Sequence, residues 1–140
     1  MAAETVFLDT NGLLALLNAD DWLHEQAVTV FEDLGRKGRT LLTTNLVLGE
    51  LGNGMSRGPT RRRVVRFIRD LLASPFARVV FVEKALLSKD LDRFDRHTDK
   101  DWGLVDCVSF ELMSHEDIRD AFTCDHHFEQ AGFTRLLRNS

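Results

Sequence analysis

Hydrophobic positions along the chain alternate between short continuous runs and longer stretches with helical spacing. The continuous runs predict buried strands, and the spaced stretches predict helices that bury one face. Strands and helices follow one another, which is typical of an α/β fold. The predicted strands are residues 5–8, 39–44, 77–82, 121–124 and 134–137. The predicted helices are residues 12–17, 24–36, 45–54, 59–73, 85–97 and 104–115, with a short one near His127.

The third predicted strand, residues 77–82, indicates how the strands are arranged. Its last four residues, from Val79 to Val82, are continuously apolar, which is typical of parallel strands that are covered on both faces. Right-handed crossovers then give a small, doubly wound parallel sheet flanked by helices. A chain of 140 residues buries a sizeable core but is short for two domains, so we expect one domain over residues 1–140.

Charge and composition narrow the range of partners. The formal net charge of −4 disfavours non-specific binding of polyanions, so an RNA-binding role needs a local basic patch or bound cations. No apolar run approaches the ~20 residues that span a bilayer, and the first residues lack a basic, apolar signal segment. We therefore expect a cytoplasmic protein with no membrane partner, in which Cys107 and Cys124 are reduced thiols.

Acidic residues occupy positions where parallel sheets carry functional groups. Asp9 and Asp125 directly follow the first and fourth predicted strands, whose carboxyl ends meet at one rim of the sheet. Glu50 and Asp106 lie on predicted helices with mostly apolar surfaces. We expect the four carboxylates to gather at that rim. Taken singly, Asp9 and Asp125 are also typical helix caps, Glu50 is compatible with a solvated helix face, and Asp106 with a buried structural role.

Gathered carboxylates indicate a metal site. Ionised carboxylates repel one another unless protons or cations intervene, and sites with only oxygen ligands select hard ions such as Mg²⁺ or Mn²⁺. Such a site is suited to metal-assisted hydrolysis of phosphodiester bonds. Asp101, in the polar loop before Asp106, is a candidate supporting acid, although acids in such loops are more often solvated.

Two further groups of side chains are candidates for binding. Arg62, Arg66 and Arg69 share one face of a predicted helix, next to the helix that carries Glu50. We expect this face to contact an RNA backbone, although many such faces are simply solvated. A zinc site is disfavoured, because the spacing of the available donors matches no familiar pair of zinc-ligand elements. Those donors are Cys107, Cys124, His126 and His127.

Four segments, in this order and spacing, closely resemble PIN-domain ribonucleases, and among them the VapC toxins of toxin–antitoxin pairs. The segments read VFLDTNGLLALL, TTNLVLGEL, DWGLVDCVSFELM and AFTCDHHFEQAGF, and the resemblance extends over residues 6–133. It implies a PIN-like domain with Mg²⁺ or Mn²⁺ as cofactor, and Thr10 as the hydroxyl that follows the first aspartate. It also implies a homodimer and an antitoxin partner seated between helices 45–54 and 59–73. The implied catalytic acids are Asp9, Glu50, Asp106 and Asp125, with Asp9, Asp106 and Asp125 as metal ligands.

These observations predict a metal-dependent endoribonuclease, the toxin of a toxin–antitoxin pair. The alternative is a catalytically inactive PIN-like module that binds RNA or protein, but the usual sign of that class is loss of metal ligands. A phosphatase with Asp9 as nucleophile is disfavoured, because Asn11 stands where the second aspartate of Asp-x-Asp belongs. A metal-free ribonuclease that uses a histidine as base on the 2′-hydroxyl stays open, since the chain has five histidines.

Overall fold

The structure is a computed structural model that describes residues 4–139; residues 1–3 and 140 of the predicted domain lie outside the described residues. Over this range the chain forms five strands and seven helices. The strands are β1 (Thr5–Leu8), β2 (Thr40–Thr44), β3 (Ala77–Val80), β4 (Asp120–Phe122) and β5 (Thr134–Arg135). The helices are α1 (Thr10–Leu17), α2 (His24–Arg36), α3 (Asn45–Gly54), α4 (Pro59–Ala73), α5 (Lys84–Arg96), α6 (Leu104–His115) and α7 (His126–Gln130).

The five strands form one parallel sheet in the order β3-β2-β1-β4-β5, which confirms the predicted doubly wound arrangement. The chain adds β2 and β3 on one side of β1 and then returns to add β4 and β5 on the other side. The strand order therefore reverses between β1 and β4, where Val6 pairs with Asp120 and Leu8 with Phe122. In open α/β sheets, ligands bind beyond the carboxyl ends of the strands at this reversal.

The helices form two layers. Helix α1 contacts α2 and α3, and α3 contacts α4, whereas α6 contacts α5 and α7. Right-handed crossovers place the two groups on opposite faces of the sheet. Within the described residues, none of the helices has the length and apolar character needed to cross a membrane.

Close packing at Gly12 fixes α1 against the end of β4. A Cβ atom at Gly12 would lie 2.1 Å from the main-chain oxygen of Phe122, so the position accepts only glycine without a shift of backbone. The central strand beneath it, with Val6, Phe7 and Leu8 fully buried, anchors the residue that follows, Asp9. The rim at β1 and β4 is therefore built on tightly packed backbone.

The third strand differs from its prediction. It ends at Val80 rather than at residue 82, and Phe81 is 61 % exposed. Within the described residues β3 is an edge strand that pairs with β2, and its side chains are partly buried or exposed rather than fully buried. A continuous apolar run does not by itself distinguish a central strand from an edge strand.

Candidate active site

Asp9 lies at the junction of β1 and α1, and its carboxylate is almost fully buried. Although Asp9 occupies the N-cap position, its side chain makes no capping hydrogen bond within the described structure. Its Oδ2 instead accepts a hydrogen bond from Thr123 Oγ1, at 2.8 Å. The reading of Asp9 as a side-chain helix cap is therefore not supported by the structure.

Burial raises the pKa of Asp9 from 3.8 to about 7. The hydrogen bond from Thr123 opposes this rise, while repulsion from Asp106 and Asp125 adds to it. The pKa of Asp106 is also raised, first by burial and then by the charge of Asp125. The structure thus brings three of the four predicted acids within electrostatic reach of one another, in surroundings that disfavour their ionised forms.

Thr123 joins the ends of β1 and β4. Its fully buried hydroxyl donates to Asp9 and accepts a hydrogen bond from the main-chain N–H of Asp125, at 3.0 Å. Beside it, Asn11 Oδ1 accepts from the main-chain N–H of Cys124, at 2.7 Å. Sequence reasoning missed Thr123; the available signal was a hydroxyl residue two positions before an acid at a strand end.

His127 lies between Asp106 and Asp125. Its Nδ1 is 3.3 Å from Asp106 Oδ2 and 3.4 Å from Asp125 Oδ1. Asp106 Oδ2 also accepts the main-chain N–H of Gly103, at 3.2 Å. Sequence reasoning left His127 out of the acidic site, although its position two residues after Asp125 was a signal for it.

Asp125 also caps the short helix α7. Its Oδ1 accepts the main-chain N–H of His127, at 2.9 Å. This hydrogen bond confirms the interpretation of Asp125 as a helix cap. The capping bond orients the carboxylate and does not remove it from the group of acids, because Asp125 still raises the pKa of both Asp9 and Asp106.

Glu50 stands at the exposed side of the site. It is exposed on α3, and its Oε1 accepts a hydrogen bond from Thr10 Oγ1 at 2.6 Å. Because Thr10 directly follows Asp9, this bond places Glu50 at the same rim as the buried aspartate. The hydroxyl predicted at Thr10 therefore links an acid of α3 to the β1–α1 junction.

Asp101 does not join the acids. It is exposed in the loop before α6, and it makes no hydrogen bond or ion pair to any residue from 4 to 139.

The arginine face (Arg62, Arg66 and Arg69) is exposed on α4 and lines a groove of about 460 Å³. This confirms the prediction that the three arginines lie on one face of the helix.

The thiols take no part in a cluster of metal donors. Cys107 and Cys124 are both free and buried. Among the described residues, a single group of three or more His, Cys, Asp or Glu side chains has one ligand atom from each member within 4.8 Å of the others. It comprises Asp125, His126 and His127.

Comparison with known proteins identifies relatives that match most of the chain. The family model described as PIN domain matches residues 6–134. The 23S rRNA-specific endonuclease VapC20 of Mycobacterium tuberculosis is 30 % identical over 131 residues, which cover 94 % of this chain and 97 % of VapC20. The same match is found in two strains of that organism.

Solved structures agree with this assignment. The crystal structure of M. tuberculosis VapC20, described as a sarcin–ricin loop cleaving toxin, superposes with a TM-score of 0.80 and 29 % identity, covering 92 % of this chain and 96 % of that one. The structure of FitAcB from Neisseria gonorrhoeae shares the fold, with a TM-score of 0.63, 17 % identity and 96 % of each chain covered. The chain therefore belongs to the PIN-domain family and is a homologue of the VapC toxins.

Proposed function

We propose that this protein is a metal-dependent endoribonuclease that hydrolyses RNA phosphodiester bonds and serves as the toxin of a toxin–antitoxin pair. The observation that carries the proposal is the gathering of Asp9, Asp106 and Asp125 where the strand order reverses, with the pKa of Asp9 raised to about 7. Homology to VapC20 supports RNA as the substrate. The presence of all four acids argues against a catalytically inactive binding module.

The donor set fits Mg²⁺ or Mn²⁺. Asp9, Asp106 and Asp125 offer carboxylate oxygens, the ligand type that hard cations prefer. Burial and mutual repulsion make the ionised acids costly by themselves, so a divalent cation that neutralises them is favoured. We assign these three aspartates as the metal ligands.

The surrounding residues hold these acids in place. Thr123 fixes Asp9, and the capping bond from the main chain of His127 fixes Asp125. An ion bound there would supply a nucleophile at neutral pH and stabilise the charge that develops on the phosphate. Glu50 is exposed and oriented by Thr10, so we assign it to orient water or to accept a proton at the rim.

The arginine face provides a place for the RNA backbone. Its three guanidinium groups lie along one groove on α4, and α4 packs against α3, which carries Glu50. Guanidinium groups bind phosphate oxygens and set the position of an RNA strand without reading its bases. Because VapC20 is a 23S rRNA-specific endonuclease, 23S rRNA is the first substrate to test.

The protein partners follow from the relationship to toxins. We propose that a helix of an antitoxin binds between α3 and α4, and that this protein forms a two-fold homodimer. Light scattering of the purified protein tests the dimer, for which we expect twice the chain mass of 16.0 kDa. A mass of one chain, with or without a co-expressed partner, would contradict both the dimer and this mode of partner binding.

Calorimetric titration with Mn²⁺ tests the metal site directly. We expect the affinity to fall by at least about tenfold in Asp9→Asn and in Asp106→Asn, because each removes a ligand charge. Asp92→Asn, which changes an exposed acid on α5, is the matched control and should bind as the wild type does. Equal affinity in all four proteins would contradict the site.

A further inference from the structure

Asp125, His126 and His127 bring three donor atoms together at the edge of the acidic site. One ligand atom from each residue lies within 4.8 Å of the other two. His127 Nδ1 is 3.4 Å, and His126 Nδ1 3.7 Å, from Asp125 Oδ1. The two imidazole rings lie with their centroids 4.4 Å apart.

The backbone at the start of α7 explains why these consecutive side chains converge. Asp125 precedes the helix in an extended conformation, and its Oδ1 is turned toward the first turn by the main-chain N–H of His127. The side chain of His126 is 68 % exposed, and that of Asp125 is 27 % exposed. The donors are therefore oriented by the first turn of α7 and are reachable from solvent.

The distances match those of a transition-metal site. Two ligands bound at about 2.1 Å with a tetrahedral angle are separated by about 3.4 Å. The 3.4 Å and 3.7 Å separations around Asp125 are close to this value, so small side-chain rotations would complete the geometry.

The donor chemistry differs from that of the acids. Two imidazole nitrogens and one carboxylate suit borderline ions such as Zn²⁺ and Co²⁺, whereas oxygen-only sites suit Mg²⁺. We propose that Asp125, His126 and His127 form a second metal site, which binds Zn²⁺ or a similar borderline ion and shares Asp125 with the acidic site.

The shared residue makes this site regulatory. Asp125 and His127 cannot turn toward Zn²⁺ without changing their contacts with the acidic site, because His127 Nδ1 also lies 3.3 Å from Asp106. Zn²⁺ should therefore weaken the binding of Mg²⁺ and slow RNA cleavage. This consequence rests on the proposed function, whereas the binding of Zn²⁺ itself does not.

Titration with Co²⁺, followed by visible absorption in the absence of RNA, tests the site. We expect a d–d band from nitrogen ligation in the wild type, displaced by Zn²⁺, with an affinity at least about tenfold lower in His126→Gln and in His127→Gln. His115→Gln, which changes an exposed histidine at the end of α6, is the matched control and should keep the band. Asp9→Asn should also keep it.

The outcomes separate this inference from the proposed function. A band that survives His126→Gln but disappears in Asp9→Asn would place the ion among the acids and would overturn the second site. Zn²⁺ binding that depends on His126, in a protein whose Mn²⁺ affinity is unaffected by Asp9→Asn, would support the second site and contradict the proposed function. Absence of any Co²⁺ band would also overturn the second site.

Discussion

Thr123 donates a hydrogen bond from its hydroxyl to the buried carboxylate of Asp9, across the point where the strand order reverses. The same oxygen accepts the main-chain N–H of Asp125. One fully buried side chain therefore sets the position of two acids that come from different strands. A small displacement of Thr123 would change both proposed ligands at once.

Replacing Thr123 with valine tests this relationship. Valine keeps the shape but removes the hydroxyl, leaving the N–H of Asp125 without its partner, so we expect a loss of about 1–3 kcal/mol in the free energy of unfolding. Mn²⁺ affinity should fall by about 10–100-fold, as is usual when a group that orients a metal ligand is lost. Thr123→Ser, which keeps the hydroxyl, should retain most of the free energy of unfolding and most of the Mn²⁺ affinity. Calorimetry and chemical denaturation measure these effects, and an unchanged Mn²⁺ affinity in the valine variant would show that Thr123 does not position the acids.

Asp9→Asn should stabilise the metal-free protein in a pH-dependent way. The pKa of Asp9 is about 7 in the folded protein, against 3.8 for an ordinary aspartate, so the folded state binds more protons than the unfolded state between these values. Wild-type stability therefore falls as the pH rises from about 4 to about 7. Asparagine cannot ionise, so the variant should be more stable at pH 8 by up to about 4 kcal/mol and little changed at pH 4. Urea unfolding in chelator measures this, and an equal difference at both pH values would contradict it.

Asp90 provides a control for the preceding effect. It is buried where α5 packs on α6, its Oδ2 has no hydrogen-bond partner within the described residues, and burial raises its pKa to about 6. Asp90→Asn should therefore also increase stability above that pH. Because Asp90 is not among the proposed ligands, the change should leave Mn²⁺ affinity unaltered. A loss of Mn²⁺ binding in Asp90→Asn would contradict this prediction. It would show that removing a buried charge outside the proposed ligand set is enough to lower Mn²⁺ affinity.

The arginine face should contribute to RNA binding mainly by contacting the phosphate groups of the RNA backbone. Each of Arg62→Gln, Arg66→Gln and Arg69→Gln should reduce affinity for a 23S rRNA fragment and lower the slope of log affinity against log salt by about 1. Arg36→Gln, an exposed arginine on α2, is the control. Fluorescence anisotropy over a range of salt concentrations gives the slope, and three unchanged slopes would remove this face from the interface.

The sequence predicted the elements whose patterns are local. Helices α2, α4 and α6 begin and end as predicted, and Asp9 and Asp125 could be placed because an acid directly after a strand lies at the carboxyl end of a parallel sheet. The edge position of β3 could not be read from its residues, because a strand's neighbours are set by the whole topology.

Contacts between residues that are distant in sequence could not be predicted from local sequence patterns either. Leu91 and Phe94 have helical spacing and correctly predicted α5, yet both are exposed while Asp90 is buried. The roles of Thr123 and His127 arise from contacts with Asp9 and Asp106, which are distant in sequence. Side-chain orientation at such points depends on how α1, α6 and α7 meet at the sheet, and no spacing rule determines it.

Mass spectrometry of the ends of a cleaved RNA distinguishes metal-assisted hydrolysis from a mechanism that uses the 2′-hydroxyl. If the acids hold an ion and water attacks phosphorus, the products carry 5′-phosphate and 3′-hydroxyl ends, and they disappear with chelator and in Asp9→Asn. They should persist in His126→Gln, because the side chain of His126 is exposed and lies outside the proposed ligand set of aspartates. A 2′,3′-cyclic phosphate that forms undiminished in chelator would show a histidine-based, metal-free mechanism and would contradict the account.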